Sequence, residues 1–453
     1  MGDLAGNVYA ILLAGGTGTR LWPVSRQLYP KQLVKFIGND SLVQSTIKRL
    51  SPVLDADSVR IVCGEQHFHE TARHMQDIGL QAEGKIICEP SGRNTAPAIL
   101  LAVLHTLSAD RDAVLCVFPA DHVIGDIESF HERLKAAIRL ADQGYIVTFG
   151  ITPHYPETGY GYVEGGQEVS EGALTIKRFV EKPDKKTARQ YIAAGNFFWN
   201  SGMFAFKASV ILEEFRTYQS DLLEKLNAIS DGIHPIAKED YDQLPDISFD
   251  YAVMEKTARG VVLPSDFGWS DIGSWKSLYD FLPKDDELNV IDGDVITNDT
   301  QGCFIMGRDR LIATNHLENM VVVETPDSLF VSDIDRSRDV KSIVARLKEK
   351  GRKEYRQHRT IHFPWGSRTL LEQKDGYRVY RLLVYPSSSL QVEVNTAACL
   401  HLVVVKGPVR VEANGKQQSL KKGKALTVAR PGVVNIENKS KEPIYLIQVQ
   451  LGE

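Results

Sequence analysis

The apolar run Val8–Leu13 (VYAILL) empties into Gly15, Gly16 and Gly18, followed by Arg20 and, after Pro30, by Lys31. Few arrangements accommodate such a stretch. A short apolar run stopped by glycine predicts a buried strand that ends in a tight turn. Backbone N–H groups bared by glycine can approach phosphate oxygens closely, and Arg20 and Lys31 supply the cations that a polyphosphate requires. The plainer alternative is an ordinary glycine-rich turn between strand and helix. Two common nucleotide fingerprints are excluded. No Gly-Lys-Ser/Thr closes the loop, and Leu21 stands where the dinucleotide pattern needs its third glycine.

Up to about residue 280, apolar runs alternate with helical patterns. Val59–Gly64, Ala113–Phe118 and Tyr145–Gly150 predict strands; Pro97–Leu107, Ser129–Gln143 and Thr187–Gly195 predict helices. This alternation predicts an open, mostly parallel α/β sheet, in which ligands bind beyond the carboxyl ends of the strands. Residues just past apolar runs are therefore candidates. Arg93, Asn94 and Thr95 follow KIIC, although Thr95 could equally cap the next helix. Asp121 follows AVLCVFPA, where a carboxylate can hold Mg²⁺ or merely cap a turn. TGYGYVE, RFVEKPD and WNSGMFAF bring Gly161, Glu181, Lys182 and Asn200, groups suited to sugar hydroxyls and a sugar phosphate. SFDYAVMEK and FGWSDIGSW add Asp250, Tyr251, Glu255 and Asp271. For Trp269 and Trp275 a core position is the stronger reading.

The pattern LLAGGTGTRLWPVSR…PKQ, together with EPSGRNTAPA, PADH, TGYGY, VEKPD, WNSGMF and WSDIGSW in that order, resembles the sugar-nucleotide pyrophosphorylases, in the form of the long bacterial mannose-1-phosphate guanylyltransferases. The resemblance implies a Rossmann-like nucleotidyltransferase domain over residues 1–285. It implies GTP and mannose 1-phosphate as partners and Mg²⁺ as cofactor, giving GDP-mannose and pyrophosphate. Gly15, Gly16, Gly18 and Arg20 would cradle the triphosphate, and Arg93, Asn94 and Thr95 would hold the guanosine. Lys31 would sit by the reacting phosphates, with the metal on Asp121 and Asp271. Gly161, Glu181 and Asn200 would contact the hexose and Lys182 its phosphate, with Asp250 on the sugar side. His122 would orient or support. Rival expectations are a guanylyltransferase for another sugar 1-phosphate and a non-catalytic nucleotide-sugar-binding regulator.

Beyond residue 285 the texture changes. GDVIT, GCFIM, RLIAT, MVVVET and SLFVS are short β-like runs punctuated by Asn, Asp and Gly, which predicts turns of a small β-helix. The family has such a connector, placed here at 286–355. The run VKSIVARLKEKGRK predicts an amphipathic helix with Ile343, Val344 and Leu347 on its apolar side. Residues 356–453 predict an all-β domain, and PWGS with the GPVRVEANGK hairpin resembles the cupin-type phosphomannose isomerase domain fused to many of these transferases. The family's isomerase ligands are a Gln, a His cluster, a Glu preceding a His, and a later His. Here Gln391 is present, but VEVNTAACLH replaces the cluster, Leu400 precedes His401, and Asn435 stands for the later His. The chain also ends at Glu453, where the isomerase form continues. The expectation is a cupin fold without isomerase activity.

Composition sets outer bounds. With 453 residues, two or three domains are expected. A net charge of −5 gives no global field for nucleic acid or anionic membrane, so any phosphate site must be local. No run approaches the ~18 apolar residues of a membrane span, and no signal peptide is evident. Five scattered cysteines predict reduced thiols in a cytoplasm. The family resemblance implies a homodimer or higher homo-oligomer.

Overall fold

The computed structural model describes residues 7–16, 18–107, 113–230, 235–394, 399–429 and 432–452. Its largest element is a nine-stranded sheet. In spatial order the strands are Ile86–Glu89, Val59–Gly64, Val8–Leu13, Val114–Pro119, Phe197–Lys207, Ile146–Ile151, Gly260–Ser265, Leu174–Val180 and Tyr162–Glu168. The first four are mutually parallel, as are Ile146–Ile151 and Gly260–Ser265. Phe197–Lys207 lies antiparallel between the two sets, so both sets run in the same direction and the expectation of a mostly parallel sheet holds. Phe197–Lys207 runs antiparallel to both neighbours, and the 162–180 hairpin adds two antiparallel strands at one edge.

Alternation along each strand sends side chains to opposite faces. Ala10 and Leu12 join one core with Val43, Ile47, Phe130 and Leu134, while Ile11 joins the other with Ile99, Val103, Ile211 and Leu223. Helices Leu42–Leu50, Phe68–Asp77 and Ile127–Asp142 cover the first face; Thr95–Leu107, Ala208–Tyr218 and Ser220–Ile229 cover the second. The result is a three-layer α/β/α domain. No described helix is long and apolar enough to cross a membrane, and all five cysteines are free thiols.

The connector is a β-helix. Val290–Asp292, Phe304–Met306 and Met320–Thr325 stack in parallel on one side, and Val295–Gln301 pairs in parallel with Ile312–Glu318 on another. Its interior residues Val290, Phe304, Met306, Val321 and Val323 share one core with Leu21, Trp22 and Trp275 of the preceding domain. The connector is thus packed onto the glycine-rich segment. Helix Val340–Glu349 follows, with Val344 and Leu347 packed on the same core. Ile343, expected on that face, is exposed instead: the helix touches the core along a narrow stripe that misses it.

The tail forms a two-sheet barrel, with six strands against four around Leu382, Val384, Leu400, Val411, Val434 and Leu446. Arg26 ties the parts together. Its buried guanidinium pairs with Asp327 of the connector at 2.7 Å and donates to the carbonyls of Gln357, at 3.2 Å, and Glu354.

Candidate active site

The carboxyl ends of the parallel strands open into two adjoining cavities. The larger, about 650 Å³, is lined by Gly15 and Gly16, by Arg93, Asn94 and Thr95, and by Gly161, Glu181, Asn200 and Asp250. The smaller, about 370 Å³, is lined by Gly18, Arg20, Lys31 and the turn 271–273. Asp121, His122 and Asp271 belong to both.

Asp121 lies in the turn that leaves strand Val114–Pro119, which the Ala120 N–H fixes by donating to the Leu13 carbonyl at 3.0 Å. Asp271 reaches it through a two-residue antiparallel ladder, Val123 opposite Ser270 and Ile124 opposite Trp269. That small ladder is what brings two carboxylates from distant parts of the chain to one wall. Between them lies Lys31, its side chain only 8% exposed, with Nζ 3.0 Å from Asp121 Oδ2 and donating to the Asp271 carbonyl. Gly18 makes this possible. It sits at φ +54°, and a Cβ there would lie 2.7 Å from both the Cβ and the backbone N of Lys31.

Burial in the cleft raises the Asp121 carboxyl, but Lys31 and then His122 outweigh it and hold the group below its ordinary value, so it is an anion. Its side chain keeps 32% of its surface open to the cavities. Burial pushes His122 down to about 4, against the pull of Asp121. A neutral ring then accepts from Trp269 Nε1 through Nδ1 at 3.2 Å. Asp271 is held through Oδ1, which accepts from Tyr160 Oη and the Gly273 N–H, both at 2.9 Å.

On the far wall, Asn200 Nδ2 donates to Asp250 Oδ1 at 2.8 Å, and burial raises the Asp250 carboxyl despite that bond. Asn200 stands opposite Gly150 in the antiparallel strand, which delivers an early strand residue to the carboxyl-end edge of its neighbours. Gly161 admits Glu181, whose Oε2 is 2.7 Å from where a Cβ would be.

Not every expected residue converges. Lys182 is 60% exposed, pairs with Glu181 and lines neither cavity, with its backbone left-handed at φ +46°. Thr95 lines the cavity, yet its hydroxyl accepts from the Phe249 N–H at 2.8 Å and anchors the segment bearing Asp250. Arg93 lines it while its guanidinium pairs with Asp242 at 3.3 Å. Tyr251 is exposed, outside the wall. Trp275 is fully buried core, whereas Trp269, 9% exposed, is both core and cavity wall.

Sequence reasoning missed Tyr160, which packs edge-on against Trp199 and Trp269 at 5.4 and 5.1 Å and holds Asp271. Its signal was the aromatic repeat in TGYGY. Glu89 was missed as well; burial pushes it up to about 7, with Tyr241 Oη donating to it at 2.7 Å. No pattern marked Lys341, which reaches the smaller cavity from the connector.

The chain matches three protein families in sequence: Nucleotidyl transferase over residues 9–287, MannoseP isomerase/GMP-like beta-helix domain over 293–347, and Mannose-6-phosphate isomerase C-terminal over 350–453. It is 39% identical over 451 residues to a mannose-1-phosphate guanylyltransferase of Klebsiella pneumoniae, covering 98% of this chain and 95% of that one. The chain belongs to the mannose-1-phosphate guanylyltransferase family. Xanthan biosynthesis protein XanB of Xanthomonas campestris pv. campestris is 41% identical over 453 residues, covering 98% and 96%. A crystal structure titled mannose-1-phosphate geranyltransferase, from Thermus thermophilus, superposes with a TM-score of 0.68 at 34% identity, covering 76% of this chain and all of that one. A guanylyltransferase must hold a nucleoside triphosphate and a sugar phosphate at once, and two cavities meeting on one acidic wall provide for that.

In the cupin barrel, Leu400 is core, and Gln391 faces Asn435 across strands Ser389–Val394 and Gly432–Glu437, both exposed. His401 is engaged by Thr427 Oγ1 at 2.9 Å and Cys399 Sγ at 3.3 Å. The segment expected to have replaced a histidine cluster includes residues 395–398, outside the described residues.

Proposed function

We propose that the double cavity transfers GMP from GTP to mannose 1-phosphate, with guanosine against Arg93–Thr95, the hexose against Gly161, Glu181, Asn200 and Asp250, and the reacting phosphates at the wall formed by Lys31, Asp121 and Asp271. The observation that carries this reading is the wall common to both cavities, where Asp121 and Asp271 meet and Asp121 is paired with Lys31 of the smaller one. A sugar phosphate is ionised at neutral pH, so the attacking oxygen needs no general base. The protein's task is to align two anions and to stabilise the charge that develops at the α-phosphate. Lys31, buried and fixed by Gly18, serves as a positioned cation for that charge. Tyr160 and Gly273 hold the Asp271 carboxylate in one orientation.

The donor set fits Mg²⁺. Two carboxylates that leave room for substrate oxygens suit this ion better than a closed protein cage does, and among the described residues no three His, Cys, Asp or Glu side chains group to hold a metal alone. Mg²⁺ on Asp121 and Asp271 would neutralise charge on the reacting phosphates.

The test is pyrophosphate release across a panel of nucleoside triphosphates and sugar 1-phosphates. GTP with mannose 1-phosphate is expected to be the preferred pair; a clear preference for another pair would overturn the assignment. The cupin half is proposed to lack isomerase activity, since Leu400 occupies core and His401 is engaged by its neighbours. Interconversion of fructose 6-phosphate and mannose 6-phosphate with added Zn²⁺ or Co²⁺ would refute that. The family expectations of a homo-oligomer in the cytoplasm are checked by light scattering and cell fractionation.

A further inference from the structure

We propose that Lys341, carried by the connector and not by the nucleotidyltransferase domain, binds the pyrophosphate end of GTP. This rests on the function proposed above and adds a second domain to its active site.

In the proposed reading the two cavities take different ends of the nucleotide. Arg93–Thr95 and the sugar-side residues line the larger one together with Gly15 and Gly16, whereas Gly18, Arg20 and Lys341 line the smaller, and the acidic wall lies between. With the α-phosphate at that wall, the β- and γ-phosphates, which depart together as pyrophosphate, fall in the smaller cavity. The cations there are not equivalent. Lys31 is already paired with Asp121 and the Asp271 carbonyl. The side chains of Arg20 and Lys341 make no hydrogen bond or ion pair among the described residues. Both are exposed and line one polar cavity, so each has its donors free to pair with the oxygens of a polyanion bound there.

Lys341 is held in place by its backbone. It is the second residue of helix Val340–Glu349, and the preceding Val340 is 1% exposed in the core it shares with Leu21 and Trp22, just after Arg20. On the turn before the helix, Arg338 Nη2 pairs with Glu157 Oε2 at 3.2 Å, and Glu157 Oε1 accepts from the Gly159 N–H at 2.8 Å. The helix start is therefore fastened at one end to the glycine-rich segment and at the other to the loop carrying Tyr160. Lys341 projects from a docked element, so it reaches the phosphate end of the site only when the connector is seated.

The experiment uses the full chain, with Lys341→Met and Lys341→Arg. In the reverse direction, from GDP-mannose and pyrophosphate, Lys341→Met should raise the KM for pyrophosphate roughly tenfold or more, the size of one lost charge-assisted contact. The KM for GDP-mannose and the thermal midpoint should stay at their parent values, and Lys341→Arg should restore pyrophosphate binding. An unchanged KM for pyrophosphate would overturn the proposal, as would an equal rise for both substrates. Calorimetric binding of inorganic pyrophosphate with Mg²⁺, read without turnover, separates the two levels. If the parent chain shows no turnover with GTP and mannose 1-phosphate but the variant still loses pyrophosphate affinity, only the proposed reaction fails. Equal pyrophosphate affinity in parent and variant removes Lys341 from the site.

Discussion

Lys31 Nζ lies 3.0 Å from Asp121 Oδ2, and the same lysine forms the surface on which Gly18 rests. One buried cation thereby connects the glycine-rich turn, the first carboxylate and, through its bond to the Asp271 carbonyl, the second. Lys31→Ala is expected to lower turnover by about 10²–10³-fold, the usual cost of removing a fixed group that meets developing charge. Asp121 keeps its opening to the cavities, so water can solvate the freed carboxylate and the protein should remain folded by circular dichroism. Parent-level kcat would remove Lys31 from the reaction.

Gly18→Ala tests the same contact from the other side. The new Cβ meets the Lys31 backbone at 2.7 Å in a left-handed conformation, so Lys31 must shift. A stability loss of about 1–3 kcal/mol is expected in a thermal or urea melt. Turnover should fall with it. Gly15, where a Cβ meets nothing within 4 Å, should tolerate alanine better.

Asp271→Asn isolates charge from shape. An amide oxygen can still accept from Tyr160 Oη and the Gly273 N–H. The melting temperature should therefore hold. Turnover should drop far more than the KM for mannose 1-phosphate rises, since a metal clamp acts chiefly in the transition state. The Mg²⁺ concentration for half-maximal rate should rise, and chelation by EDTA should stop the parent enzyme.

Arg26 belongs to the same stretch of glycines and cations but is structural. Its guanidinium is wholly buried and pairs with Asp327, itself 11% exposed. Arg26→Met strands that carboxylate and several carbonyls, at an expected cost of about 3–5 kcal/mol. The measurement is the urea midpoint, and a shift below about 1 kcal/mol, the value of a surface pair, would refute the argument.

Acid should loosen the junction between domains. Burial, followed by the Arg73 charge, pushes His74 down to about 3; burial, followed by Arg26, pushes His358 down to about 4. Both lie below the ordinary value of 6.5, so between about 4 and 6.5 the unfolded chain binds more protons than the folded one. Their contribution is complete above that window and is lost as pH falls through it. His358→Gln, which keeps a donor toward the Val24 carbonyl, should flatten the decline in melting temperature from about pH 7 to about pH 5. An unchanged slope would assign the decline to other groups.

Much of this molecule is legible in its sequence because local physics writes it there. Val8–Leu13 forms its strand with the expected bounds, since an apolar run closed by glycine has few other outcomes. Helix Thr95–Leu107 contains the predicted run Pro97–Leu107, and the β runs of the connector follow from their turn residues. Asp121 and Asp271 could be named as candidates from the motifs around them. The exceptions are contacts between segments. Ile343 has helical spacing for a buried face but is left exposed by the connector's position, and Lys182 is exposed and lines neither cavity although its motif suggests a phosphate contact.

By itself, then, the sequence determined the order of the domains, the residue types at each strand end and the family to which they belong. Tertiary structure decided which of those residues meet. The two-residue ladder at Val123 and Ser270 sets the two carboxylates on one wall, Tyr160 fixes the second, and the seated connector brings Lys341 to the smaller cavity. Periodicity reports what one segment buries, whereas a two-residue ladder and a lone lysine on a helix leave no periodic signal. They acquire meaning only when distant segments pack.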